Sequence, residues 1–98
     1  MDPTTCDQPE LSIIVPCLNE AENIPDILPR LNDLITRHRL PAEVVLIDDQ
    51  SDDDTFNRAM ACAGRFEEMD LRVFRRLQPR RGYGAVVRYG MAYARGKY

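Results

Sequence analysis

The chain has 98 residues, 44% hydrophobic and 30% charged with five Gly and seven Pro; these proportions describe one small globular domain and exclude collagen-like, disordered and disulfide-scaffold classes. No apolar run approaches the roughly 20 residues of a bilayer span, and the first residues lack the basic and apolar regions of an export signal. The net charge of -3 is divided: residues 1–71 carry all 16 acidic groups against five basic ones, whereas residues 72–98 carry eight basic groups and no acidic one.

Taken in chain order, Leu11 to Pro16 is a short β-branched apolar run, too brief for a helix and too uniformly apolar for a half-exposed strand, so it predicts a buried parallel strand. Ile24, Ile27, Leu28, Leu31, Leu34 and Ile35 follow one helix face, which predicts a helix over about 23–38 with Pro25 in its first turn. Pro29 lies deeper and predicts either a kink or a later start. Glu43 to Asp49 repeats the buried-strand pattern and ends in carboxylates. Behind the turn-forming and capping residues Gln50 to Thr55, the stripe Phe56, Met60, Ala63, Phe66 predicts a second helix over about 53–67. A third, more exposed strand is expected over 71–77, a loop over 78–83, and a third helix over 85–95 that ends near Gly96. Gly90 inside that helix costs about 1 kcal/mol against Ala, which implies close packing or close ligand approach there.

The order β-α-β-α-β-α, at strand spacings of roughly 30 residues, is that of right-handed crossover units around a parallel sheet. The expected fold class is α/β, a Rossmann-like open sheet, mostly parallel, in three α/β/α layers. Residues 1–98 are read as a single domain, with residues 1–10 as a flexible tail. Because residues 97–98 stand where a fourth strand should begin, the chain is expected to be the N-terminal piece of a longer protein.

In an open α/β sheet, ligands bind where the strands' carboxyl ends meet loops and helix N-termini. Here those ends lead into Pro16 to Glu20, Asp48 to Asp52, and Arg80 to Gly84. Carboxylates at the first two would accept hydrogen bonds from a base or ribose, and arginines with exposed amides at the third would suit phosphate. Neither a G-x-G-x-x-G turn after the first strand nor a P-loop is present, which disfavours a dinucleotide dehydrogenase and excludes a P-loop NTPase. Bland readings stand beside these. Asp52 and Asp53 read as helix-capping groups, His38 as a solvated helix-end residue, and Cys17 as a small packing residue. The three cysteines, an odd number without C-x-x-C spacing, argue for reduced thiols in a cytosolic compartment over a disulfide framework or zinc site. The basic stretch leaves a second class open, a non-enzymatic α/β module that binds nucleotide or nucleic acid.

Three blocks in order carry a specific resemblance: L-S-I-I-V-P-C-L-N-E-A-E-N-I from Leu11, V-V-L-I-D-D-Q-S-D-D-D-T from Val44, and R-G-Y-G-A-V-V-R-Y-G-M-A-Y-A-R-G-K-Y from Arg81. Together, over residues 11–98, they resemble the opening of family 2 glycosyltransferases, inverting nucleotide-sugar enzymes with the A-type fold. Within that family they look closest to polyprenol- and dolichol-phosphate sugar synthases. The resemblance implies that Pro16, Leu18 and Glu20 line the base and ribose, that Asp49 hydrogen-bonds the base with Asp48 supporting the strand end, and that Gly82, Gly84 and Arg88 lie near the base and diphosphate. It implies a UDP- or GDP-sugar and a lipid-phosphate acceptor as partners, no nucleic acid, and a place in the cytoplasm, at a membrane face if further segments reach one. The family's D-x-D motif for Mg2+ or Mn2+ and its catalytic base are expected beyond residue 98. Residues 1–98 alone are therefore expected to hold no metal, no catalytic residue and no transferase activity.

Overall fold

A computed structural model describes residues 9–66, 69–77 and 83–96. Its element order is β1 (Leu11–Cys17), α1 (Ile24–His38), β2 (Ala42–Asp48), α2 (Thr55–Cys62), β3 (Asp70–Arg75) and α3 (Tyr83–Tyr93). The strands form one parallel sheet in the order β1-β2-β3. Register pairs Leu11 with Ala42 and Cys17 with Asp48 on one side of β2, and Glu43 with Asp70 and Asp48 with Arg75 on the other.

Strand alternation sorts side chains into two layers. Val44 and Leu46 of β2 join Ile24, Leu28 and Ile35 of α1 and Ala59 of α2 in one core cluster, with Leu11, Ile13 and Val15 of β1 and Leu71 and Val73 of β3. Val45 and Ile47 face the other way and pack with Phe74, Val86, Val87 and Tyr89 beneath α3. The expected three layers are therefore present, with α1 and α2 on one face and α3 on the other. Every residue of β2 is buried, because it is the central strand.

The first strand departs from expectation. Leu11 to Pro16 are only partly buried, because the sheet order leaves β1 on an edge; its apolar composition serves two covered faces, not a central position. Helix α1 runs without a late start. Pro25 sits in the first turn and Pro29 within the helix, where its ring forgoes one intrahelical bond on an exposed side. Helix α2 is shorter than its stripe suggested. It stops at Cys62, Ala63 turns extended and Gly64 takes φ +85°, while Ala63 and Phe66 still reach the core from the following turn. Helix α3 begins and ends two residues before the expected 85–95. Of the expected tail, residues 1–8 lie outside the described residues, but Pro9 is buried and the Glu10 N–H donates to the Pro41 carbonyl at 2.8 Å, so the held chain starts before Leu11.

Close packing explains Gly90. A Cβ there would lie 2.7 Å from Ile14 Cγ2 and 3.3 Å from Ile47 Cγ1, so α3 rests directly on β1 and β2. At the amino end of the sheet, a buried network anchors the exit of α3. Glu43, fully buried, accepts from Ser12 Oγ (2.7 Å), Arg72 Nε (3.0 Å), the Arg95 N–H (2.5 Å) and Arg95 Nε (3.3 Å). Arg72 also donates to the Tyr93 carbonyl at the end of α3, and Arg95 pairs with Asp70. Gly96 donates to Ser12 Oγ at 2.8 Å, and a Cβ on it would stand 2.8 Å from the Leu11 carbonyl carbon. The role of Gly96 is thus close approach to β1, not termination of the helix.

Candidate functional site

The carboxyl ends of β1 and β2 are joined into one platform. The Asp49 N–H continues the ladder to the Cys17 carbonyl at 2.9 Å. Beyond it, the Asn19 N–H donates to Ser51 Oγ (2.9 Å), and the Asp52 N–H returns a bond to Asn19 Oδ1 (2.8 Å). The Glu20 N–H donates to Thr55 Oγ1 (2.8 Å), the Ala21 N–H to Asp53 Oδ2 (3.2 Å), and Arg58 Nη1 to the Ala21 carbonyl (3.0 Å). Both loops turn through the left-handed region, Asn19 at φ 55° and Gln50 at φ 61°. Asn tolerates that conformation; for Gln it is strained, and the crosslinks hold it.

Each carboxylate in the platform has a partner that fixes its role. Asp48 is fully buried, accepts from the Ser51 N–H (3.3 Å) and hydroxyl, and has Arg75 Nε 3.5 Å from its other oxygen. Asp53 accepts from the Thr55 hydroxyl and N–H (3.0 Å); the hydroxyl bond is the main cause that holds its carboxyl below the ordinary carboxylate value. The expected capping role of Asp53 is not the one found: the N-cap of α2 is Asp54, without a side-chain capping bond, and Asp53 instead ties Thr55 to the Ala21 N–H of the neighbouring loop. Asp49 receives Arg76 Nη1 at 2.8 Å, and the two side chains are 5% and 10% exposed.

The strand register explains why two Asp–Arg pairs lie side by side. Asp48 opposes Arg75 in the ladder, so the next residues, Asp49 and Arg76, oppose each other on the opposite face. Arg75 leans toward α2, 5.5 Å from the Phe56 ring centre. Arg76 points toward α3 and stands near enough to Tyr89 to favour its ionised form, although a hydrogen bond with Tyr93 dominates and raises the Tyr89 pKa.

Of the residues expected to line a nucleotide, the structure brings Pro16, Leu18, Glu20, Asp48 and Asp49 to this one end. Pro16 pairs with Ile47 and is partly buried, Leu18 is exposed, and Glu20 is partly buried with a 2.7 Å bond from Asn23 Nδ2. Gly84 opens α3, and Arg88, exposed one turn later, folds back so that its Nη1 lies 3.6 Å from where a Gly84 Cβ would be. Gly82 lies outside the described residues. Cys17 is buried between carboxylates, and burial first, then Glu20 and Asp48, push its thiol up to about 12, which removes it as a nucleophile near neutrality. His38 is exposed at the end of α1, as expected. Among the described residues, no three His, Cys, Asp or Glu side chains come together as a metal site.

Sequence reasoning missed Asn19, Ser51 and Thr55 as the loop staples, and Arg76 as the partner of Asp49. The first three were visible only as turn and cap formers, and Arg76 only as one cation among eight.

Residues 12–98 match the sequence pattern of glycosyl transferase family 2. A dolichyl-phosphate beta-glucosyltransferase of Drosophila melanogaster is 31% identical over 93 residues, which cover 90% of this chain and 28% of that protein. The solved structure of mannosyltransferase PcManGT from Pyrobaculum calidifontis, in complex with GDP-Man and Mn2+, superposes with a TM-score of 0.73 at 28% identity, over 95% of this chain and 26% of that one. The chain thus spans between a quarter and a third of the length of these relatives. With its parallel sheet, its stapled strand-end platform and a match over residues 12–98, the chain belongs to glycosyl transferase family 2.

Proposed function

We propose that this chain forms the nucleotide-binding part of a longer glycosyltransferase that moves a sugar, with inversion, from a UDP- or GDP-sugar to a lipid phosphate such as polyprenyl or dolichyl phosphate. The observation that carries this reading is the platform itself: two loops, crosslinked by hydrogen bonds, hold Asp49 and Glu20 at the carboxyl end of a parallel sheet, the place where such folds bind nucleotides. A fixed carboxylate accepts a base N–H or a ribose hydroxyl without reorganising. Arg88 beside the first turn of α3 suits the diphosphate. The similarity to a dolichyl-phosphate glucosyltransferase and to a GDP-Man-bound mannosyltransferase supports the acceptor and donor classes. A lipid-phosphate acceptor would place the reaction at the cytoplasmic face of a membrane; among the described residues no helix is long and apolar enough to cross one.

A divalent ion would neutralise the diphosphate as it leaves. The described residues do not fit one, since Asp48, Asp49 and Asp53 are committed to Ser51, Arg76 and Thr55. The part played by residues 1–98 is therefore donor binding. We expect the isolated chain to release no free nucleoside diphosphate from UDP-glucose or GDP-mannose in a coupled assay; measurable turnover overturns that expectation.

Half of the basic stretch, the four cations on or just after β3 and α3, gives little support to a nucleic-acid module. Arg72, Arg75, Arg76 and Arg95 each lie within ion-pair distance of Glu43, Asp48, Asp49 or Asp70, so their charge is largely spent inside the fold. An amide-resolved NMR titration with UDP, GDP and UMP tests the proposal. Shifts should centre on Leu18, Glu20, Asp49 and the 82–84 loop, and Asp49→Asn should weaken binding by about tenfold or more. A folded spectrum that ignores all three ligands would end this reading.

A further inference from the structure

The β1–α1 loop is held through three successive backbone N–H groups, each received by a side chain from beyond β2. Asn19 donates to Ser51 Oγ (2.9 Å), Glu20 to Thr55 Oγ1 (2.8 Å) and Ala21 to Asp53 Oδ2 (3.2 Å). The middle bond stands on a relay. Thr55 is completely buried, and while its hydroxyl oxygen accepts from Glu20, its hydroxyl proton and its own N–H (3.0 Å) go to Asp53 Oδ1. A hydroxyl that donates to a carboxylate is a stronger acceptor in turn. Helix α2, which Thr55 opens, does not use this hydroxyl: its N-cap is Asp54, and it has no side-chain capping bond. The group is turned away from its own helix and toward Glu20.

Resting on the proposed donor site, the geometry points to Thr55, backed by Asp53, as the positioning residue that aims the Glu20 carboxylate at the ribose hydroxyls. A glutamate side chain has several rotatable bonds, and ordering it when a ligand arrives subtracts from the affinity of the contact. Here the peptide that bears it is fixed on both sides beforehand. Thr55 takes its N–H, and its carbonyl accepts from the N–H groups of Asn23 (2.9 Å) and Ile24 (3.1 Å) at the start of α1. Glu20 Oε2 also accepts from Asn23 Nδ2 at 2.7 Å. The bonds from Asn23 and Ile24 refer Glu20 to α1; the Thr55 bond refers it to the end of β2, where Asp49, the base acceptor of the same reading, stands. A ribose hydroxyl and a base N–H are a fixed distance apart in a nucleotide, so the two carboxylates serve one ligand only if their loops keep one relative position. Without the Thr55 hydroxyl, the Glu20 N–H loses its acceptor and the loop shifts to find another.

The test uses this chain with UMP and GMP and with their 2′,3′-dideoxy forms, which keep base and phosphate and lack both ribose hydroxyls. For whichever base binds, the ratio of the two affinities reads the ribose contact. The wild-type chain should prefer the ribonucleotide by about 10- to 100-fold, and Thr55→Val should bring the ratio to about threefold or less with the dideoxy affinity unchanged. Thr55→Ser keeps the hydroxyl and should restore the ratio. Glu20→Ala should by itself bring the ratio to about one, and adding Thr55→Val should lower it no further. If Thr55→Val does not fold, Asp53→Ala, at an exposed position, replaces it and should also lower the ratio. A ratio like that of the wild type in Thr55→Val, in Asp53→Ala or in Glu20→Ala overturns the inference while donor binding stands. Equal weakening of both nucleotides by Thr55→Val overturns it too, since the threonine would then only hold the fold. A wild-type chain that binds both forms alike removes the ribose contact and this inference but leaves the base contact; one that binds neither removes the donor-site reading as well.

Discussion

Replacing Glu43 with Ala should cost about 3 kcal/mol of stability, the low end of the range for breaking a buried ion pair, and lower Tm by roughly 10–25 °C in a domain of this size. The side chain is completely buried and takes donors from β1, β3 and the segment after α3, so its loss leaves a cavity, a stranded Arg95 N–H and two arginines without their common anion. Those arginines are 27% and 41% exposed and can rehydrate, which keeps the loss from being larger. Glu43→Gln keeps the shape and should cost less. The pair also separates by pH. Burial alone would raise the Glu43 pKa, but the Arg95 N–H, the Ser12 hydroxyl and Arg72 outweigh it and hold the carboxyl below its ordinary value. A lowered folded-state value means that the contribution is fully present above the ordinary carboxylate range and disappears as pH falls through the lowered value. Thermal melts across pH 3–7 should therefore show wild type converging toward Glu43→Gln in acid; parallel curves would mean that Glu43 does not carry the network as a charge.

Gly90→Val is the second large effect expected, about 3 kcal/mol. The position lies 2.7 Å, measured from an ideal Cβ, to Ile14 Cγ2, and Ile14 is β-branched with little rotamer freedom to retreat. Overpacking of this kind costs about 1–3 kcal/mol, and a valine adds two further methyl groups toward Ile47, so the upper end applies. The higher helix propensity of Val than Gly returns only a few tenths. A fall in the urea midpoint at constant slope is the expected readout. An unchanged midpoint would mean that α3 does not sit on β1 and β2 as described. Because α3 carries Gly84 and Arg88, a lifted helix should also weaken nucleoside diphosphate binding more than nucleoside binding.

The two substitutions probe opposite supports of the same helix. Glu43 anchors its exit at the amino end of the sheet, and Gly90 sets its height above it. Arg76, paired with Asp49, lies at the carboxyl end of the same sheet, where the platform is. The position of the proposed phosphate end relative to the base end thus depends on residues that would contact neither.

Local pattern alone determined the order of elements and the loops that bear the site, but it read the first two strands alike as buried and did not tell which is central. Val44 to Ile47 could only be a strand buried on both faces, and the carboxylates ending it had to lie at the sheet's binding end. Gly90 likewise announced a close approach, since an unhelpful residue in a helix interior needs a packing reason. What pattern could not supply were facts about partners far apart in the chain. The edge position of β1 follows from strand order, not from its composition. Glu43 reads as one polar letter opening an apolar run, and its burial makes sense only once Ser12, Arg72 and Arg95, up to 52 residues away, converge on it. Arg76 is one arginine among several until the β2–β3 register sets it against Asp49. Periodicity records which face a side chain takes; which charge it meets there is set by register and crossover, and those exist only in the folded sheet.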